Sequence, residues 1–193
     1  MIIEIEAKMR VEDRAGLESM LRSLQAVRVG KVIQRNIYFD DVGAGLRGSD
    51  QGLRIRIERT EDGSQTEVTL THKGPRAAGS IKVRQETELS VDDPERATQL
   101  LDALGYRSVL MFEKRRDRWR LDECHVEIDT LPHLGCFLEI EGPSKETILA
   151  VRQKLGMAES PLVTKSYASL MAAFLDEQGD ARHEVVFADV TAE

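Results

Sequence analysis

The sequence predicts an α+β domain of about eight largely antiparallel strands and four helices, with charge concentrated on one face of the strands. Three observations carry this. Apolar and charged residues alternate with period two in segment after segment, the pattern of a strand whose two faces differ. Four other segments place apolar residues three and four apart, the period of an amphipathic helix. Gly, Asp and Pro cluster at many of the junctions, where the chain must turn.

Residues 2–10 open the chain as a strand, with Ile3, Ile5, Ala7 and Met9 on one face and Glu4, Glu6, Lys8 and Arg10 on the other. A helix follows over Glu12 to Val27, striped by Leu17, Met20, Leu21 and Leu24. Strands are expected over 30–40 and 52–60, the second setting Leu53, Ile55 and Ile57 against Arg54, Arg56 and Glu58. Asp62-Gly63 is a hairpin signal into a strand over 65–73, whereas Gly74-Pro75 through Gly79 reads as an irregular loop before a strand over 81–90. Asp93 suits an N-cap, Pro94 the first helical position and Gly105 the stop of a helix that turns Ala97, Leu100, Leu101 and Leu104 inward. Strands over 106–120, 123–130 and 136–142 complete the sheet, with Val126 and Ile128 opposite His125, Glu127 and Asp129, and Leu138 and Ile140 opposite Glu139 and Glu141. Helices over about 145–155 and 166–178 follow, the second striped by Tyr167, Leu170, Met171 and Phe174. The domain is expected to span 1–175 and to leave 176–193 as a polar tail, acid-rich apart from Val185, Val186 and Phe187.

The composition excludes several functions. No apolar run reaches the roughly 18–20 residues that cross a bilayer, and charges in the first residues interrupt any secretory signal, so a cytoplasmic protein without a membrane partner is expected. A formal net charge of −7 opposes general attraction to nucleic acid, so any anion site is a local concentration of positive charge. Cys124 and Cys136 have no zinc or redox spacing, and His72, His125, His133 and His183 form no ligand cluster, although alternation puts His125 on the charged face. Neither a GxxxxGK[ST] phosphate loop nor an HExxH motif occurs.

The charged strand faces hold the functional information. One explanation is an open sheet, covered by helices on its apolar face and wetted on the other. Yet Lys82, Arg84, Glu86 and Glu88 share one side of one strand, and Lys114, Arg116, Arg118 and Arg120 one side of another, with few of the neutral polar residues that solvated faces usually mix in. If the sheet closes, about eight strands enclose room for side chains or one small ligand. Charges in such a lumen need partners. Glu4, Glu6, Glu86, Glu88, Glu127, Asp129, Glu139 and Glu141 offer hard oxygens for Mg²⁺ or Mn²⁺, while Lys8, Arg54, Arg56, Lys73, Arg84, Lys114 and Arg116 suit phosphate.

These residues also fall into an ordered set of motifs: Glu4-Ile5-Glu6-Ala7-Lys8 as ExExK, Tyr38-Phe39-Asp40, Arg54-Ile55-Arg56, Lys73-Gly74-Pro75, Arg84 with Glu86, Glu113-Lys114-Arg115-Arg116, and Leu134 to Glu141. Over roughly residues 1–175 the chain resembles the CYTH superfamily, the triphosphate tunnel metalloenzymes. The resemblance implies a closed eight-stranded antiparallel barrel with flanking helices. Within the superfamily the chain looks most like the class IV adenylyl cyclase branch, through Leu104-Gly105-Tyr106 to Glu113-Lys114, Lys73-Gly74-Pro75, Gly135 to Glu141 and Lys165-Ser166-Tyr167.

By that resemblance Glu4 and Glu6, with Asp129, Glu139 and Glu141, hold Mg²⁺ or Mn²⁺. Lys8, Arg54, Arg56, Lys73, Arg84, Lys114 and Arg116 grip a triphosphate, and Lys165 closes the tunnel. Glu4, Glu6, Lys8, Lys114 and Arg116 form the expected catalytic set, with Glu86 orienting basic neighbours and Tyr38 and Asp40 near the substrate. The expected reaction is ATP to cyclic AMP and pyrophosphate. Hydrolysis of tripolyphosphate, thiamine triphosphate or a nucleotide is the alternative, and a non-catalytic polyphosphate binder a third reading. A homodimer covering part of the outer face is also expected.

Overall fold

The computed structural model describes residues 2–179 and 183–188. The elements run β1 (Ile2–Val11), α1 (Arg14–Ser23), β2 (Val27–Asp40), α2 (Gly45–Gly48), β3 (Gly52–Thr60), β4 (Thr66–Arg76), β5 (Lys82–Ser90), α3 (Pro94–Ala103), β6 (Arg107–Leu121), β7 (Cys124–Leu131), β8 (Gly135–Glu141), α4 (Lys145–Lys154), α5 (Tyr167–Gln178) and β9 (Glu184–Val185). The eight long strands pair antiparallel in the order β2-β3-β4-β5-β1-β8-β7-β6, and a further β2–β6 pairing closes the ring. The sheet is therefore a barrel, and β9 adds to it by parallel pairing beside Met111 and Phe112 of β6.

Pleat alternation decides what lies inside. The outward face is apolar and covered in sectors. Ala7, Met9, Val126, Ile128, Leu138 and Ile140 pack under Leu17 and Leu21 of α1 and Ile148 and Val151 of α4. Leu53 and Ile55 of β3 pack against Leu101 of α3. These helices start at side-chain caps that satisfy free backbone N–H groups: Asp13 accepts from Gly16, Asp93 from Glu95 and Arg96, and Ser144 with Thr147 forms a reciprocal pair before α4. A sector near β1 and β5 stays bare, with Ile3 69% and Leu89 62% exposed.

The inward face changes character along the barrel. Leu110 and Phe112 of β6, Leu131 of β7 and Phe137 of β8 form an apolar end, against which α5 lays Tyr167, Met171 and Leu175. Beyond them the same strand rows continue as Lys114, Arg116, Asp129, Glu127, Glu139 and Glu141. Helix α5 thus lies across one end of the barrel, and the charged section begins beneath it.

Differences from the sequence expectations are local. Helix α1 is shorter than Glu12–Val27 because the chain leaves it at Gln25, whose φ of 58° is left-handed, and β2 already begins at Val27. Strand β4 runs through Gly74-Pro75 to Arg76, with a register shift against β5 between Lys73 and Arg76 that absorbs the irregularity. Helix α2 carries no period to betray it. Helix α5 matches the expected 166–178 closely, and the unforeseen β9 buries Val185 against it.

Position on the outer face should decide stability. Ile140→Ala, at a site with no exposure, is expected to cost about 2–5 kcal/mol in denaturant unfolding. Ile3→Ala, on the same face but exposed, should stay within about 0.5 kcal/mol.

Candidate active site in the barrel lumen

A cavity of about 570 Å³ fills the charged section and opens past α5. Eleven basic residues line it (Lys8, Arg47, Arg54, Arg56, Lys73, Arg76, Lys82, Arg84, Lys114, Arg116 and Arg118), in a chain whose net charge is negative. The alternation of charge on the strands therefore describes the inside of a closed barrel, and the open-sheet reading falls.

The charges are sorted by strand. Carboxylates gather on the neighbouring strands β1, β8 and β7, where register sets Glu6 directly opposite Glu141 and Glu127 directly opposite Glu139. Like charges paired in this way repel, and the arrangement calls for cations. Lysines meet part of that demand: Lys82 Nζ lies 2.5 Å from Glu4 and 2.9 Å from Glu6, and Lys8 Nζ 3.2 Å from Glu139. Glu139 is held well below the ordinary carboxylate range because Lys8, Lys114 and Arg116 outweigh its burial. Glu141 makes no ion pair among the described residues, and the attraction of Arg116 is outweighed. Burial and then the charges of Glu4, Glu127 and Glu6 push its carboxyl up to about 7.

The opposite wall is short of anions. In the ring order β3 lies four strands from β8, so Arg54 and Arg56 face Glu139 and Glu141 across the lumen. Arg56 Nε donates to Asn36 Oδ1 at 3.1 Å, and among the described residues no carboxylate lies within ion-pair distance of it. Burial, then repulsion from Arg54 and Arg116, pulls its guanidinium down to about 10. Arg84 donates to the carbonyls of Gly74 and Asp50 rather than to a carboxylate. Arg54 donates to Thr71 Oγ1 at 3.2 Å, and among the described residues its one carboxylate within ion-pair distance is Glu88, at 3.8 Å.

The sequence-predicted residues take definite places. Glu4, Glu6, Glu139 and Glu141 line the cavity together with Lys8, Arg54, Arg56, Lys73, Arg84, Lys114, Arg116, Glu86 and Tyr38. Asp129 does not reach it. This residue is fully buried, and its two oxygens accept Arg116 at 2.7 and 2.6 Å and Lys114 at 2.9 Å, so it supports these two cations from behind the cavity wall. Lys165 turns its side chain to solvent, and only its carbonyl takes part, accepting Lys8 Nζ at 3.2 Å. Asp40 borders the cavity, but its carboxylate accepts the N–H groups of Leu46 and Arg47 and so holds α2. His125 is exposed, and Glu86 pairs with Lys73. Lys82 and Arg118 belong to the site although they were not assigned a role. Both sit in the inward rows, which was the available signal.

The CYTH domain family matches residues 2–167. The chain belongs to that family. A Methanocaldococcus jannaschii protein named as a candidate adenylate cyclase is 29% identical over 178 residues, 88% of this chain and 98% of the relative. An adenylate cyclase of Aeromonas hydrophila is 28% identical over 177 residues, 86% and 87% of the two chains. Among solved structures, a Pyrococcus horikoshii protein superposes with a TM-score of 0.77 at 28% identity, covering 89% of this chain and 99% of that one. A candidate adenylyl cyclase from Hippeastrum, described as having a dominant triphosphatase activity, shares the fold with a TM-score of 0.69 at 16% identity, over 89% and 96%.

Membership of the CYTH domain family implies a divalent metal, and the donor set fits one. Glu4, Glu6, Glu139 and Glu141 supply hard oxygens from adjacent strands, and the raised Glu141 carboxyl marks the point where cationic charge is lacking. Among the described residues, no three acidic, imidazole or thiolate groups already converge on one ion position, because lysines hold several of the oxygens.

With chelator present, the Glu141 shift has a defined sign. A carboxyl whose folded pKa of about 7 lies above its ordinary 4.5 favours the fold below pH 4.5, and that contribution is lost as pH rises through 7. Glu141→Gln should therefore gain stability relative to the unsubstituted protein between pH 5 and 8, measured by urea unfolding. An identical pH slope in both would refute the shift.

Proposed function

We propose that this CYTH domain converts ATP to cyclic AMP and pyrophosphate with Mg²⁺ or Mn²⁺. The observation that carries the reading is the division of the lumen into a carboxylate wall facing an arginine wall whose Arg56 lacks a counter-charge, since a metal–triphosphate complex presents cation and anion to the same cavity. Arg54, Arg56 and Arg84 suit phosphate oxygens by their planar forks, and Lys8, Lys73 and Lys114 as point charges. The names of the two relatives support the cyclase reading.

The mouth favours an organic triphosphate over an inorganic one. Beside α5 the lining includes the apolar Val109, Leu110, Ala172 and Leu175 among polar groups, and the volume exceeds what a phosphate chain fills. A purine against that lining places the α-phosphorus and ribose at the edge of the charged section. In the reaction the ribose 3′-oxygen bonds to the α-phosphorus, the bond from that phosphorus to the pyrophosphate oxygen breaks, and the hydroxyl proton leaves to solvent. A divalent metal held there would supply Lewis-acid stabilisation of the phosphate charge. Glu4, Glu6, Glu139 and Glu141 would hold it, Arg56 and Lys114 would hold the chain, and Asp129 would orient Lys114 and Arg116 from behind. Catalysis is then mostly positioning and electrostatic stabilisation.

Hydrolysis is the second reading, favoured by the activity described for the Hippeastrum protein. Product analysis separates the two. ATP with Mg²⁺ or Mn²⁺ should yield cyclic AMP and pyrophosphate in equal amounts, while orthophosphate as the main product would move the assignment to triphosphatase. Glu139→Gln should lower the rate roughly 100-fold or more and recover partly at high metal, whereas Arg56→Ala should raise KM about tenfold or more without such recovery. Full activity in both variants would reject the site.

A further inference from the structure

We propose that Tyr167 is a positioning residue of the phosphate site, its ring setting the spacing of the Lys8 and Lys114 ammonium groups; this rests on the triphosphate reading above. Lys8 Nζ lies 3.9 Å and Lys114 Nζ 4.8 Å from the centre of this one ring. The two lysines stand on β1 and β6, which β8 and β7 separate in the barrel, so no strand pairing fixes the distance between them. An aromatic face attracts a cation through its quadrupole without carrying a charge. Glu139 lies 3.2 Å from Lys8 and 4.0 Å from Lys114, and Asp129 2.9 Å from Lys114, so the ammoniums are already partly paired. The ring adds an attraction to both of them that brings no further negative charge to compete with phosphate.

The ring is itself fixed. Tyr167 is the first residue of α5, the helix is capped by Ser166, whose side chain accepts from Ser169, and the ring meets Phe137 edge-on at 5.3 Å. The preceding carbonyl, of Lys165, accepts Lys8 Nζ. The Tyr167 hydroxyl is buried close to Asp129 but makes no hydrogen bond of good geometry among the described residues. Phenylalanine keeps the ring and removes only this hydroxyl.

The test measures binding of imidotriphosphate, a non-hydrolysable triphosphate, with Mg²⁺ by calorimetry on the full chain. Tyr167→Met should weaken binding about tenfold, and Tyr167→Phe should recover most of that loss, to within about threefold of the unsubstituted protein. Lys8→Met should cost a smaller factor in the Tyr167→Met background than alone, because the two side chains act together. Tyr167→Leu replaces the methionine variant if circular dichroism shows that the latter does not fold. Equal losses for Phe and Met, or factors at residues 8 and 167 that multiply independently, overturn the positioning role and leave the triphosphate reading standing. No binding by the unsubstituted protein overturns both.

Discussion

The constraint on which the rest of this structure depends is that ionised groups enclosed by a barrel must be neutralised by one another or by a ligand. Removing a charge from water is costly unless a partner is supplied at close range. The lumen meets this cost unevenly. Around Asp129 it is met, with Arg116 bound to both oxygens and Lys114 to one. At Arg56 on one wall and Glu141 on the other it is left unmet, and both groups are displaced toward their neutral forms. These two ends of the charge distribution are where an anion and a cation are each worth most.

The outside of the barrel follows from the same constraint. Since the inner row of each strand is given over to charge, the apolar row must face outward, and helices have to supply the core that a conventional barrel would keep within. Helices α1 and α4 do so together over one sector of strands and α3 over another. Helix α5 differs, because it packs on inward-facing residues at the end of the barrel, and its first turn touches the charged section directly. Its sequence shows the compromise: an apolar stripe that reads as ordinary core also includes the ring that two lysines share.

Much of this was legible in the sequence because period two and period 3.6 are properties of short windows. Alternation put Glu4, Glu6, Arg54, Arg56, Glu139 and Glu141 on one face, and closure of the sheet made that face a cavity. Alternation gives a face but not a depth. Asp129 is in the inward row, yet its carboxylate is engaged by Arg116 and Lys114 of the neighbouring strand, and the alternation of one strand does not show where its neighbour's side chains reach. Lys165 belongs to a recognisable motif, but it lies between elements, where no period fixes the direction of a side chain. Helix α2 and strand β9 were hidden because one turn and two residues are too short for a pattern. Each is held by a distant contact instead: Asp40 to the backbone of Leu46 and Arg47, and Glu184–Val185 to Met111 and Phe112.

The place of β1 in the ring links function to the order in which the chain can assemble. This strand, first in sequence, joins β5 on one side, with Glu4 beside Arg84, and β8 on the other, with Lys8 beside Glu139. Its second partner is thus separated from it by more than a hundred residues, and contacts of such long range are slow to form because the intervening loop must first lose its freedom. The hairpins β3–β4 and β6–β7 can form locally, but the ring stays open until β1 enters between two strands that lie far along the chain. The same insertion delivers Glu4, Glu6 and Lys8. Closing the ring at β1 therefore also completes the carboxylate wall, since Glu139 and Glu141 gain Glu4 and Glu6 beside them only in the closed barrel.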